Sequence, residues 1–212
     1  MKVFLISGTD TGVGKTVATA ALAGKLAREG ENPVTQKLVQ TGCEGVSEDI
    51  LAHRKIMGVG LLPEDLDFTT CPYVLKYPAS PHLACAMEGV KIDLAKIDAC
   101  TKKLSEKYSA VLIEGVGGLM VPLAEDCLVA DFAAARGIPV VLVVPSRLGS
   151  LSHALMCLEI CGNRGIPVAG VVYNTFPAAP KPIEDSTRAY LKRRLFESHP
   201  YAFFEEIGEI KF

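Results

Sequence analysis

Val3-Phe4-Leu5-Ile6-Ser7-Gly8-Thr9-Asp10-Thr11-Gly12-Val13-Gly14-Lys15-Thr16 is the stretch on which the fold turns. An apolar run leads into a glycine-rich loop, and the loop leads into the helical string Val17-Ala18-Thr19-Ala20-Ala21-Leu22-Ala23. Strand, glycine loop, helix is the context in which backbone N–H groups can curl around an anion at a helix N-terminus. Lys15 is placed to reach terminal phosphates, and Thr16 offers a hydroxyl to Mg²⁺. The plainer alternative is a glycine turn that only starts a helix, and Gly-Lys-Thr at such a junction argues against it. Five residues separate Gly8 from Gly14, where the usual P-loop has four, so this is a variant loop.

Outward from the loop, Val- and Ile-rich apolar runs recur at Val3–Ile6, Val34–Val39, Ala110–Ile113, Val140–Val144 and Val168–Val172. Most lack alternation, as strands buried on both faces do. Between them lie helical stretches at Lys15–Glu29, Leu94–Tyr108, Leu128–Arg136 and Leu151–Arg164. The expected fold is a single α/β domain, residues 1–212, with a P-loop NTPase-like, mostly parallel sheet wrapped by helices on both faces. Gly58–Pro81 and Thr175–Pro182 break the rhythm with prolines and glycines, so any helix there should be short.

The formal net charge of −2 is spread along the chain, which excludes an electrostatic footprint for nucleic acid or an anionic membrane. The opening apolar run is too short for an export signal, and no stretch approaches the roughly eighteen apolar residues of a membrane helix. Seven cysteines without a CxxC read as free thiols in a reducing compartment, with Cys157 and Cys161 on the buried face of a helix. The expected location is the cytoplasm.

A P-loop needs a metal carboxylate from a neighbouring strand, and Glu114 stands at the carboxyl end of Ala110–Ile113, followed by glycines at 115, 117 and 118 that leave room for a ligand. Its bland reading is an acid entering solvent. Asp49, after Ser47-Glu48, starts a helix and could serve only its dipole. Lys37 ends the second strand at the edge of the sheet where ligands bind, and on its type alone it could be a solvated charge. His82 and His153 read as hydrogen-bonding or packing residues rather than ligands.

Taken in order, Gly8–Thr16, Lys37-Leu38-Val39-Gln40-Thr41-Gly42, Glu48-Asp49, Ser80-Pro81-His82, Glu114-Gly115-Val116-Gly117-Gly118, Leu148-Gly149 and Asn174 resemble the dethiobiotin synthetases. The resemblance implies joining CO₂ to 7,8-diaminononanoate, phosphorylating the carbamate with ATP, and closing a ureido ring. It further implies that Lys37 steadies the carbamate, that Thr11 and Thr41 orient the diamine, and that Thr16, Asp49 and Glu114 surround Mg²⁺. Around the nucleotide it places Gly12, Val13, Gly14, Lys15, Thr16 and Val17, with Gly115, Val116 and Gly117 across from them. Asn174 matches the residue that holds adenine, with Thr175 beside it; guanine-specific relatives of the fold usually follow that Asn with Lys-x-Asp, which Thr175-Phe176-Pro177 does not match. A homodimer is also implied, with Gly149, Ser150 and Ser152 reaching the substrate tail from the partner. Gly12 stands where relatives often carry a larger residue, and Ser152 where Asn is expected. Relatives continue beyond Gly208–Phe212 with a segment that closes over the base.

Other readings stay open on residues alone: a nucleotide-switched partitioning ATPase, which carries lysine where Asp10 stands, an amide-forming synthetase with an attached glutaminase domain, and a catalytically idle nucleotide-binding relative.

Overall fold

The computed structural model describes residues 2–211; Met1 and Phe212, the two ends read in the sequence, lie outside them. In chain order the elements are β1 (Lys2–Gly8), α1 (Lys15–Arg28), β2 (Pro33–Lys37), β3 (Gln40–Thr41), α2 (Glu48–Met57), α3 (Pro63–Leu66), β4 (Val74–Leu75), α4 (Pro81–Glu88) and α5 (Leu94–Lys107), then β5 (Ala110–Gly118), β6 (Pro122–Ala124), β7 (Cys127–Leu128), α6 (Val129–Arg136), β8 (Val140–Pro145), α7 (Ser150–Asn163), β9 (Val168–Asn174), α8 (Lys181–Ser198) and β10 (Phe203–Ile207). Six strands form one sheet in the order β10-β9-β8-β1-β5-β2, and every pairing in it is parallel. No helix among the described residues is long and apolar enough to cross a membrane.

Successive strand residues face opposite sides, so uninterrupted apolar runs demand cover on both faces. Leu5, Ile113, Leu142 and Tyr173 pack with Ile97 and Leu104 of α5, Phe132 of α6, Ala154 of α7 and Leu191 and Leu195 of α8. Their neighbours Ile6, Leu112, Val141 and Val172 pack on Ala18, Leu22 and Ala23 of α1. The expected helix-wrapped parallel sheet is therefore present, and β1 lies between β5 and β8.

Each of the four helices read from the sequence is present to within one residue at either end. Two strands differ. The second stops at Lys37 rather than Val39, because the chain then leaves the main sheet and bonds Gln40 N–H to the Tyr73 carbonyl at 2.9 Å, starting the small β3–β4 sheet. The strand after Ala110 runs to Gly118 rather than ending before Glu114. Its glycines permit this because the β1 backbone lies close: a Cβ on Gly118 would come within 3.2 Å of the Gly8 carbonyl oxygen.

Helix α8 and strand β10 are among the elements that escaped the sequence reading. Helix α8 buries only Thr187, Leu191 and Leu195, one narrow stripe at four-residue spacing, and Pro182 sits in its first turn where its missing N–H is no loss. Strand β10 is an edge strand, half-buried, with a mixed Phe-Phe-Glu-Glu-Ile sequence.

Candidate active site

The loop between β1 and α1 is shaped by two left-handed glycines, Gly12 at φ 70° and Gly14 at φ 96°. Gly14 is constrained twice, since a Cβ there would meet Asn174 Nδ2 at 2.4 Å. Asp10 braces the loop by accepting the Thr11 N–H at 2.7 Å and an Arg147 N–H at 3.1 Å. Helix α1 has no acidic residue in its first turn and carries Lys25 and Arg28 in its last, so its N-terminal positive potential stays available to an anion. Lys15 is buried and donates to the Asp10 carbonyl at 3.0 Å. Burial first, and Lys37 second, lower its pKa to about 8.

Across from the loop, three segments converge. Lys37 at the end of β2 is the registered partner of Glu114 on β5, and both are buried. Asp49 is brought in by the first turn of α2, where Ser47 caps the helix by accepting the Ile50 N–H at 3.3 Å. Gln40 Oε1 holds that turn, accepting from the Ser47 hydroxyl at 2.6 Å and from the Asp49 N–H at 3.3 Å.

Lys37 Nζ lies 2.8 Å from Glu114 Oε1, 2.5 Å from Asp49 Oδ2 and 3.2 Å from the Gly115 carbonyl oxygen. The Thr16 hydroxyl lies 2.9 Å from Asp49 Oδ1 and 3.1 Å from Glu114 Oε1. Burial opposes the charge on Lys37, but Glu114 and Asp49 outweigh it and hold the ammonium above the ordinary lysine range. Burial likewise opposes ionised Glu114, and Lys37 with His53 more than offset it, keeping the carboxyl below its ordinary value.

The sequence reading let Glu114 enter solvent as a bland alternative; at 1% exposure it does not. Nor is Lys37, at 5%, a solvated charge. Asp49 does more than complement a helix dipole, since its carboxylate meets both Thr16 and Lys37. Thr16, Asp49 and Glu114 offer hard oxygens around one point, a donor set suited to Mg²⁺ shared with phosphates rather than caged by protein. Among the described residues no group of three or more His, Cys, Asp or Glu forms such a cage.

A cavity of about 630 Å³ opens above these residues. Thr11, Gly12, Gly14, Lys15, Thr16 and Val17 line it on the loop side, and Lys37, Thr41, Asp49, Glu114, Val116 and Gly117 on the other. Val13 is buried behind the loop, and Gly115 contributes its carbonyl to Lys37. Pro78, Ala79 and Val121 also line the cavity and were not read from the sequence.

Asn174 lines a second hollow of about 350 Å³ together with Val17, Phe176 and residues 208–211, and Thr175, its neighbour in the chain, is not part of that lining. Both ends of the Asn174 amide are engaged: Nδ2 donates to the Val13 carbonyl at 3.0 Å, and Oδ1 accepts the Phe176 N–H at 3.0 Å. Thr175 Oγ1 donates to the Ile207 carbonyl at 3.1 Å, tying the hollow to β10. Gly149, Ser150 and Ser152 at the start of α7 are outside the cavity of this single chain, and Ser150 donates to the Arg147 carbonyl at 2.7 Å. His82 and His153 are exposed, so the packing read for them is corrected. The site histidine is His53, which the sequence reading passed over: it is fully buried with Nε2 2.7 Å from Glu114 Oε2. Its signal was spacing, for it follows Asp49 by four residues on one helix face.

Comparison with known proteins follows the same line. A family model described as an AAA domain matches residues 2–208. The ATP-dependent dethiobiotin synthetase BioD of Chlorobaculum tepidum is 52% identical over 94% of this chain and 85% of its own length. The ATP-dependent dethiobiotin synthetase BioD 2 of Pasteurella multocida is 45% identical over 96% of each chain. Among solved structures, the MinC:MinD cell division protein complex of Aquifex aeolicus has a TM-score of 0.56 at 17% identity, covering 99% of this chain and 82% of that one. A ParA family ATPase from Chlorobium tepidum has the same TM-score at 14% identity, covering 99% and 85%. At such identities these two show the fold alone, a P-loop α/β sheet. A variant glycine loop facing a buried lysine–carboxylate cluster, together with relatives at this identity along nearly the whole chain, places the protein among the ATP-dependent dethiobiotin synthetases, ligases of biotin biosynthesis.

Proposed function

We propose that residues 1–212 act as one ligase domain that joins CO₂ to 7,8-diaminononanoate and closes the ureido ring of dethiobiotin. The steps are a carbamate, its phosphorylation by ATP to a carbamic-phosphoric anhydride, and displacement of phosphate by the second amine. The observation that carries this reading is Lys37, a buried cation between Asp49 and Glu114 in the same cavity as Lys15 and Thr16. A carbamate is a poor electrophile until its oxygen becomes part of a phosphate leaving group, and the transfer concentrates negative charge that fixed donors must meet.

Lys15 and the loop N–H groups would hold the terminal phosphates, and Lys37 would hold the carbamate oxygens beside them. Thr11 and Thr41, on opposite walls of the cavity, would orient the diamine. Mg²⁺ held by Thr16, Asp49 and Glu114 would supply charge neutralisation for the transferring phosphoryl group. Catalysis by the chain is then mainly positioning and electrostatics. A cytoplasmic homodimer belongs to the same reading, with Gly149, Ser150 and Ser152 serving the partner's cavity. All seven cysteines are free, which supports a reducing compartment.

The test is incubation with diaminononanoate, bicarbonate, Mg²⁺ and ATP, followed by mass spectrometry. Dethiobiotin and ADP in equal amounts are expected; ATP turnover without ring closure would sink the assignment.

A further inference from the structure

Glu114 has two carboxylate oxygens with different company. Oε1 faces Thr16 and Lys37, on the cavity side, while Oε2 meets His53 alone among the described residues. His53 reaches it from α2, the helix whose first turn also brings in Asp49, so one helix orders both carboxylates. Both His53 and Glu114 are buried, at 0% and 1% exposure. A carboxylate only accepts, so Nε2 carries the proton at this contact. Nδ1 is buried without a hydrogen-bond partner among the described residues. A ring nitrogen left so is a cost that an apolar side chain filling the same space would avoid. The contact to Oε2 is what favours histidine here. The terminal torsion of a glutamate is broad, and a single strong donor on the far oxygen would fix which oxygen faces the cavity.

We propose that His53 is a positioning residue that sets the Glu114 carboxylate for the ion and for Lys37, by donating Nε2–H to the oxygen the site does not use. The proposal rests on Glu114 being a metal ligand, as read above. Outer partners of this kind typically change metal affinity by about 10–100-fold when removed.

The experiment compares wild type, His53→Leu, His53→Gln and Glu114→Gln. Mn²⁺ affinity is read by electron paramagnetic resonance with a non-hydrolysable ATP analogue, and kcat and KM for the diamine are read separately. His53→Leu should lose about 10–100-fold in Mn²⁺ affinity and lose kcat with little change in KM. His53→Gln, whose amide nitrogen reaches the place of Nε2, should restore most of both. Wild-type Mn²⁺ affinity in His53→Leu alongside a loss in Glu114→Gln would overturn the proposal while leaving the metal reading intact. Wild-type affinity in Glu114→Gln would overturn the metal reading and the proposal with it. Should His53→Leu fail to fold, His53→Asn replaces it, since its shorter amide stops at the place of Nδ1 and should bind Mn²⁺ as weakly as the apolar variant was expected to.

Discussion

Lys37 and Glu114 are registered partners on adjacent parallel strands, and their side chains complete the pairing with a 2.8 Å ion pair out of solvent. The sheet register thus sets the distance between the charge that would hold the carbamate and the charge that would hold the ion. Removing Glu114 leaves the buried Lys37 to Asp49, and removing Lys37 leaves the buried Glu114 to His53 and Thr16; these remaining partners keep the loss below the roughly 3–5 kcal/mol of a wholly unpaired buried charge.

Lys37→Ala should abolish dethiobiotin formation and leave ATP binding largely intact, whereas Lys15→Ala should weaken both. Product by mass spectrometry and nucleotide affinity by calorimetry separate the two. Turnover unchanged in Lys37→Ala refutes its role.

Gly14→Ala and Gly12→Ala test the loop in different ways. Both impose a left-handed backbone on a residue with a Cβ, at a cost of about 1–2 kcal/mol. Only Gly14→Ala also drives that Cβ to 2.4 Å from the Asn174 amide, while Gly12 has nothing within 4 Å. The expected outcome is a small drop in melting temperature for Gly12→Ala and, for Gly14→Ala, a larger drop with loss of ATP binding.

Away from the site, Arg54 on α2 forks onto Asp65 through bonds of 2.9 and 2.8 Å, and both side chains are buried. Burial raises the Asp65 pKa, and Arg54 with the Leu62 N–H more than reverses it, so the folded value lies below the ordinary 3.8. A carboxyl depressed on folding adds stability that is complete above its unfolded pKa and is lost as pH falls through the folded one. Asp65→Asn should therefore be less stable by about 3–5 kcal/mol near pH 7, with the gap closing only below pH 3.8. Denaturant melts between pH 7 and pH 2 would show it; a gap independent of pH would not fit.

Asn174→Ala removes the tie between the second hollow and the glycine loop at Val13. Leaving those backbone groups unpartnered should cost roughly 1–3 kcal/mol, read as weaker ATP binding in a calorimetric titration. A variant that binds ATP normally but accepts GTP better would mean the amide serves base choice alone.

Much of this was legible beforehand because its causes are local. The apolar runs, the variant glycine loop and the position of Glu114 after Ile113 are all properties of short stretches. Their burial is not: that Lys37 lies at 5% exposure depends on β5 being registered beside β2, a fact of tertiary pairing. His53 was passed over because its one local signal, the four-residue spacing from Asp49, gains meaning only from Glu114, 61 residues away. Strand β10 was missed for a related reason, since an edge strand with one neighbour need not be apolar.

The central place of β1 has a further meaning in time. Its sheet neighbours are β5 and β8, so this strand has no sheet partner until residue 110 has been made. The glycine loop is synthesised early, yet the Thr16 hydroxyl meets Glu114 only after 98 more residues. Pairings of such long range close slowly. Retention of nascent chains on immobilised ATP should therefore switch on late in translation, making nucleotide capture a gauge of completed folding rather than of the loop alone.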